Sequence, residues 1–246
     1  MAEVAATGVE PLPWGADLPP ATHLLSSVAP GADGDPALRL YGPALAARPW
    51  AWAGYLSTTG VYGDRQGGWV DETSPLTPAT ERGRWRVEAE RAWGALGLPL
   101  HVFRLAGIYG PGRGPFEKVR QGTARRVIKP GQFFSRIHVD DIAEVLLASI
   151  ERPNPGPDPW RAYNVCDDDP APPQDVIAEA ARLLDLPVPP PVPFEAAEMT
   201  PMARSFYAES KRVRNDRIKD ELGVTLRYPD YRTGLRALLD REAAAL

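Results

Sequence analysis

Three consecutive hydroxyls, Ser57, Thr58 and Thr59, end an apolar run in "GYLSTTGVYGD" and lead into a turn through Gly60 and Gly63. Hydroxyls are poor core material at the carboxyl end of a buried strand, but there they suit an open α/β sheet that presents side chains to a ligand. Capping of the strand end is the alternative use of the same groups. Tyr62, four residues beyond Thr58, brings a phenol that either exchanges a proton or simply packs. Further along, Lys118, Arg120, Arg125, Arg126 and Lys129 form a basic run able to grip a substrate anion or to remain a solvated face. His138 stands beside Asp140 in "IHVDD", an acid/base pair by residue type. Asp167, Asp168 and Asp169 precede a proline-rich helix start, where acids are ordinary, so no metal site is expected.

These groups need elements to position them. "THLLSSVAP", "AWAGYLSTT" and "PLHVFRLAGIYGPG" are short apolar runs closed by turn residues, each long enough for a strand buried on both faces. Between the last two, Trp85, Ala89, Ala92, Trp93 and Leu96 recur at helical spacing and Gly97 ends the run. Strand, helix and strand without a hairpin signal predict parallel pairing through a right-handed crossover. A helix is expected in "RIHVDDIAEVLLASIERP", with Val139, Ile142, Ala143, Leu146 and Ile150 on its apolar face and an Asp as its cap. A short strand in "RAYNVCDDDPAPP", a helix in "QDVIAEAARLLDLP" and an extended "PVPPPVPF" follow. Two last helices are expected around Glu209 to Leu222 and Asp230 to Leu239.

Composition narrows the function classes. At 246 residues and 43% hydrophobic content the chain can bury a core as one domain, with or without a smaller lobe. Its 28 Lys and Arg against 32 Asp and Glu give a net charge of -4, which offers no overall positive field to nucleic acid or an anionic membrane. A small-molecule substrate is the expected partner. The single cysteine, Cys166, excludes an intrachain disulfide and is expected to pack in the core. The amino-terminal stretch lacks a basic and an apolar region of the secretory kind, and no run of about 18 apolar residues occurs, so a cytoplasmic location is expected.

The ordered set "LSTTGVYGD", "DETSPLTP", a helix carrying Glu90, "RLAGIYGPGR", "RIHVDDIAEVLLASI" and "YNVCDDDPAPPQDVI" resembles the extended short-chain dehydrogenase/reductases, the NAD-dependent epimerase/dehydratase family, and within it an atypical bacterial branch. The resemblance runs from about Val9 to the carboxyl terminus. It implies an α/β fold, a Rossmann-like parallel sheet with a small C-terminal substrate lobe. Residues 1–112 would form a partial NAD(P)-binding domain and 113–246 mainly the substrate lobe, with 136–170 returning to the Rossmann core. The implied cofactor is NAD or NADP, in contact with Ser27, Ala29, Pro30, Leu56, Ser57, Arg86, Gly107 and Ile108. Thr58, Tyr62 and Arg86 are the implied catalytic residues, Thr59, Arg113 and Arg126 the implied substrate contacts, His138 and Asp140 an implied structural junction between lobes, and homodimer formation is left open.

Two departures from the family qualify this expectation. No G-x-G-x-x-G occurs, and "VEPLPW" looks like the third strand of the family's sheet, so the first two strands and their helices, roughly 50 residues, are expected to be missing. In the family order 3-2-1-4-5-6 that loss would leave strands 3 and 4 without the neighbours between them, a truncated and cofactor-impaired unit. The second departure is chemical. The family's Tyr-x-x-x-Lys pair falls on Arg82 and Arg86, and an arginine cannot serve as the proton-exchanging acid. Enzyme, non-catalytic nucleotide-binding protein and inactive truncated product therefore all remain open.

Overall fold

The computed structural model describes residues 7–152 and 160–244. Along the first half run β1 (His23–Ser26), α1 (Pro36–Ala46), β2 (Trp52–Thr58), β3 (Trp69–Val70), α2 (Glu81–Gly94), β4 (Leu100–Leu105) and β5 (Gly107–Tyr109). The second half continues with α3 (Phe116–Arg120), β6 (Arg126–Ile128), β7 (Arg136–His138), α4 (Val139–Ile150), β8 (Trp160–Val165) and α5 (Pro173–Leu183). It closes with β9 (Pro191–Pro193), α6 (Pro201–Phe206), β10 (Arg212–Val213), α7 (Asp216–Asp220) and α8 (Tyr231–Ala244).

The main sheet has the order β1-β2-β4-β8, with every pair parallel. All six residues of β4 are buried, His101 and Arg104 included, as an interior strand of a sheet covered on both faces requires. Strand alternation sorts the core into two layers. Ala53, Tyr55, Leu100, Val102 and Ala162 meet α1 and α2 through Ala37, Leu45, Ala89 and Trp93. Trp52, Phe103, Leu105, Tyr163 and Val165 meet α4 and α7 through Ile142, Val145 and Ile218. A separate apolar cluster joins Tyr109, Phe116, Val119, Ala180, Ala181, Tyr231 and Leu235, away from the main sheet. No helix among the described residues is long and apolar enough to cross a membrane.

The outer edge of β8 is closed by side chains. Asn164 N donates to Glu72 Oε1 (2.8 Å), and Arg217 Nη1 donates to the carbonyl of Ala162 (3.0 Å). β1 lies at the opposite edge, with Leu25 46% exposed.

Several expectations need correction. Residues 9–14 of "VEPLPW" form no strand: Pro11 and Pro13 remove ladder donors, and the stretch lies largely exposed. Because that strand is absent from the sheet, the four main strands are continuous and no gap opens between two strand pairs. The helix expected from Glu209 shrinks to α7, since Arg212 and Val213 pair with Trp69 and Val70 instead. "PVPPPVPF" supplies β9, paired in parallel with β6. On α4 the inward stripe is Asp141, Ile142, Val145 and Ser149, leaving Val139 and Ile150 exposed, and the cap is His138, whose Nδ1 accepts from Asp140 N (3.1 Å). Asp140 instead pairs with Arg241 on α8 (2.6 Å).

Gly234, on the buried side of α8, shows how closely that helix is seated. A Cβ there would stand 2.0 Å from the Tyr109 hydroxyl oxygen. Gly234→Ala is expected to lower unfolding free energy by about 1–3 kcal/mol in urea titrations. Adding Tyr109→Phe, which deletes the nearest atom, is expected to recover part of the loss.

Candidate active site

Parallel strands bring the segments after β1, β2, β4 and β8 to one end of the sheet. Most of the residues expected to form a site gather there. Ser27 and Ala29 are exposed on the loop after β1, with Pro30 half-buried beside them. Leu56, Thr58 and Thr59 are half-buried, and Gly107 is exposed beside half-buried Ile108. Arg86 reaches from α2 to this end: its Nη1 donates to the carbonyl of Leu56 (2.7 Å) and to the Tyr55 hydroxyl (3.1 Å). Arg82, one turn earlier, is exposed.

The three hydroxyls do not form one ledge. Strand alternation sends Ser57 toward α2 and Thr58 to the other face. Ser57 is buried and its Oγ donates to Glu90 Oε1 in the interior. Thr58 Oγ1 accepts from Gly60 N (3.2 Å), so it caps the single 3₁₀ turn Thr59–Tyr62 and stays at the rim. Thr59 follows at the first position of that turn.

Beneath the rim lies a polar interior that the sequence reading did not anticipate. Ser57, Arg104 and Asn164 are cross-strand partners on β2, β4 and β8, the last row on the α2 side. Arg104 Nη2 and Glu90 Oε2 form an ion pair (2.8 Å), and Arg104 Nε also points at the Glu90 carboxylate (3.2 Å to Oε1). Arg104 Nη1 donates to the Tyr62 hydroxyl (2.9 Å), which donates to Asn164 Oδ1 (2.6 Å). Burial pushes the Tyr62 phenol up to about 12, more than Arg104 opposite it pulls down. Tyr62 is therefore protonated at neutral pH, fully buried, and engaged both as donor and as acceptor. A signal was present: a charge in "HVFRLAG" and an amide in "AYNV" interrupt otherwise buried strands and demand partners.

Other expected contacts lie elsewhere. Arg113 is exposed in a turn closed by Gly110, and Arg126, in β6, directs Nη1 at the carbonyl of Pro189 (3.5 Å). Much of the basic run is likewise spent on internal partners: Arg125 on the Glu198 carbonyl (2.8 Å), Lys129 on the Tyr207 carbonyl and Arg120 on Glu242. A groove of about 610 Å³ beside that run is lined by Val119, Ala124, Arg125, Leu186 and Val188, and a second of about 320 Å³ by Trp14, Pro36 and Leu40. Neither includes Thr58. No cluster of three or more His, Cys, Asp or Glu side chains among the described residues is placed to hold a metal. Cys166 is buried.

Breaking the interior ion pair from one side is expected to be costly. Glu90→Leu should lower unfolding free energy by about 3–5 kcal/mol, because Arg104 is left as an uncompensated buried charge, whereas Glu90→Leu with Arg104→Met should cost less than Glu90→Leu alone. Denaturant titration of the two variants checks this. Asp167, just past β8, is buried with neither carboxylate oxygen bonded, and burial raises it to about 8, with Arg136 offsetting only part. Between about pH 4 and pH 8 the native state then holds a proton that the unfolded chain releases, so stability falls as pH rises, at most by about 1.4 kcal/mol per unit. In Asp167→Asn this contribution is expected to vanish, so the stability-versus-pH curves of variant and wild type should diverge; parallel curves would show an ionised Asp167.

No family model matches the chain. Protein YeeZ of Escherichia coli is 32% identical over 182 residues, covering 72% of this chain, and the chain spans only 58% of that relative's length. A solved structure of a functionally unknown conserved protein from Silicibacter pomeroyi is 62% identical with a TM-score of 0.91, covering 98% of this chain and 86% of the other. A structure from Methylobacillus flagellatus, described as an NAD-dependent epimerase/dehydratase, is 29% identical with a TM-score of 0.64, covering 84% of this chain and 70% of the other. With its parallel sheet and helices on both faces, the chain belongs to the extended short-chain dehydrogenase/reductases, the NAD-dependent epimerase/dehydratase family.

Proposed function

We propose that this chain is an NAD(P)-dependent, epimerase-like oxidoreductase acting on a hydroxyl or carbonyl of a small molecule. The carrying observation is Thr58, a hydroxyl held at the rim of a parallel sheet while Ser57 beside it is committed to the interior. Thr58 orients the substrate oxygen by hydrogen bonding, with Thr59 next to it.

The residues present suit the nicotinamide end of such a cofactor. Arg86 supplies positive charge beside the Leu56 carbonyl, and exposed Gly107 allows close approach of a planar ring. The pyrophosphate end is less well served. At the amino terminus of α1, Asp35 Oδ1 already accepts from Ala37 N and Leu38 N (2.8 and 3.0 Å), so that helix end does not offer its free donors to a phosphate. The bound cofactor would supply or accept hydride. The protein's part is to position the oxygen and to hold charge at Arg86, since Tyr62 is locked in the interior network and Arg82 cannot release a proton. In this reading 1–112 form the cofactor half and 113–246 the substrate lobe, with 136–170 returning to the core.

That sealed phenol also supports a second reading, a nucleotide-binding protein without turnover. Titration with NADH and NADPH, followed by turnover on a panel of carbonyl compounds, separates the two. The enzyme reading expects Thr58→Val to lower kcat/KM by about 100-fold while leaving NADH affinity nearly unchanged. Unaltered turnover in Thr58→Val removes Thr58 from the chemistry, and binding without turnover on any carbonyl favours the second reading.

A further inference from the structure

Two arginines serve the carboxyl end of the sheet, and they are used differently. Arg104 is buried and engages all three nitrogens, Nε and Nη2 on Glu90 and Nη1 on Tyr62. Arg86 is half-buried and engages one. Its Nη1 donates to the Leu56 carbonyl (2.7 Å) and to the Tyr55 hydroxyl (3.1 Å), while among the described residues Nε and Nη2 have no acceptor and no carboxylate pairs with the guanidinium. Glu90, one turn further along α2, is already held by Arg104 and Ser57. The N–H groups on Nε and Nη2 are therefore left for another partner. An open donor edge at the carboxyl end of a parallel sheet is where a polar ligand is expected.

Tyr55 sets the direction of that edge. A carbonyl accepts over a broad range of angles, so Leu56 alone would let the guanidinium swing. Tyr55 supplies a second point of attachment and a surface, with its ring centroid 5.5 Å from the guanidinium carbon. The ring is itself clamped. Tyr55 is fully buried and stacks on Trp93, with 5.6 Å between centroids and 26° between planes. Trp93 is fully buried in turn, and its Nε1 donates to Asp35 Oδ2 (3.0 Å), on the carboxylate that caps α1. One phenol on β2 is thus held through α2 to the start of α1. Burial pushes that phenol up to about 12, against the pull of Arg86, so at neutral pH it meets the guanidinium as a neutral acceptor.

We propose that Tyr55 is a positioning residue: by accepting from Nη1 it fixes the Arg86 guanidinium so that Nε and Nη2 form a ready donor edge for the hydroxyls of a bound nicotinamide nucleotide. This deepens the oxidoreductase reading and rests on it for the identity of the ligand. Holding the edge in place before binding removes the cost of ordering a long side chain at the moment of binding. The test titrates the full chain with NADH and compares Tyr55→Phe, which deletes only the hydroxyl, with Arg86→Gln and the double variant. NADH affinity is expected to fall about fivefold in Tyr55→Phe and about 20-fold in Arg86→Gln. In the Arg86→Gln background the loss of the Tyr55 hydroxyl should cost nothing further. Tyr163→Phe, at an equally buried tyrosine in the other core layer, should leave NADH affinity unchanged. A second readout needs no cofactor: NMR of nitrogen-15-labelled arginine side chains, with the Arg86 signal identified by its loss in Arg86→Gln, should show faster guanidinium rotation in Tyr55→Phe than in the wild type. The proposal is overturned by equal NADH affinity in wild type and folded Tyr55→Phe, by additive losses in the double variant, or by unchanged Arg86 rotation. A wild type that binds neither NADH nor NADPH removes the oxidoreductase reading and the ligand named here with it, whereas the NMR comparison still decides whether Tyr55 holds Arg86.

Discussion

The pairing of Glu90 with Arg104 inside the sheet-helix interface constrains everything above it. Each charge is costly to bury and is tolerable only because the other is in place. Around that pair the remaining polar atoms fall into order: Ser57 donates to one carboxylate oxygen, Tyr62 accepts from the guanidinium, and Asn164 accepts from Tyr62. Three strands and one helix are thereby pinned at the level where the carboxyl ends begin. Exchange for apolar residues would preserve burial but lose that directional lock.

This interior network also explains how the chemistry is distributed. The phenol nearest the hydroxyl cluster is consumed in holding the turn together, and Arg82, exposed on α2, has no proton to exchange near neutral pH. Thr58 remains at the rim because strand alternation turns Ser57 inward and Thr58 to the other face, where Gly60 N–H holds its hydroxyl as a cap. Positioning is thus better represented in the structure than proton transfer. That imbalance makes a binding role a serious competitor to turnover.

Much of the sheet was legible because its signals are collective. The runs ending at Ser26, Thr58 and Leu105 are predominantly apolar, and a strand buried on both faces accommodates such runs at that length. What was hidden depended on single partners. Glu90 counts as a solvent-facing charge in any periodicity reading of α2, yet it is buried, and the helix turns its 83, 87, 90 stripe inward in consequence. Lys211 to Asn215 look helical by composition, but pairing with Trp69 and Val70 draws Arg212 and Val213 into a ribbon. His138, an acid/base candidate by residue type alone and a structural junction by resemblance, holds the first turn of α4.

The sheet's two borders are chemically unlike. At β8 a carboxylate takes the Asn164 N–H and a guanidinium takes the Ala162 carbonyl, so two of the peptide groups an incoming strand would need are already engaged. Any further parallel strand therefore meets more backbone already in use at β8 than at His23–Ser26, where no side chain among the described residues bonds to the peptide groups of the strand.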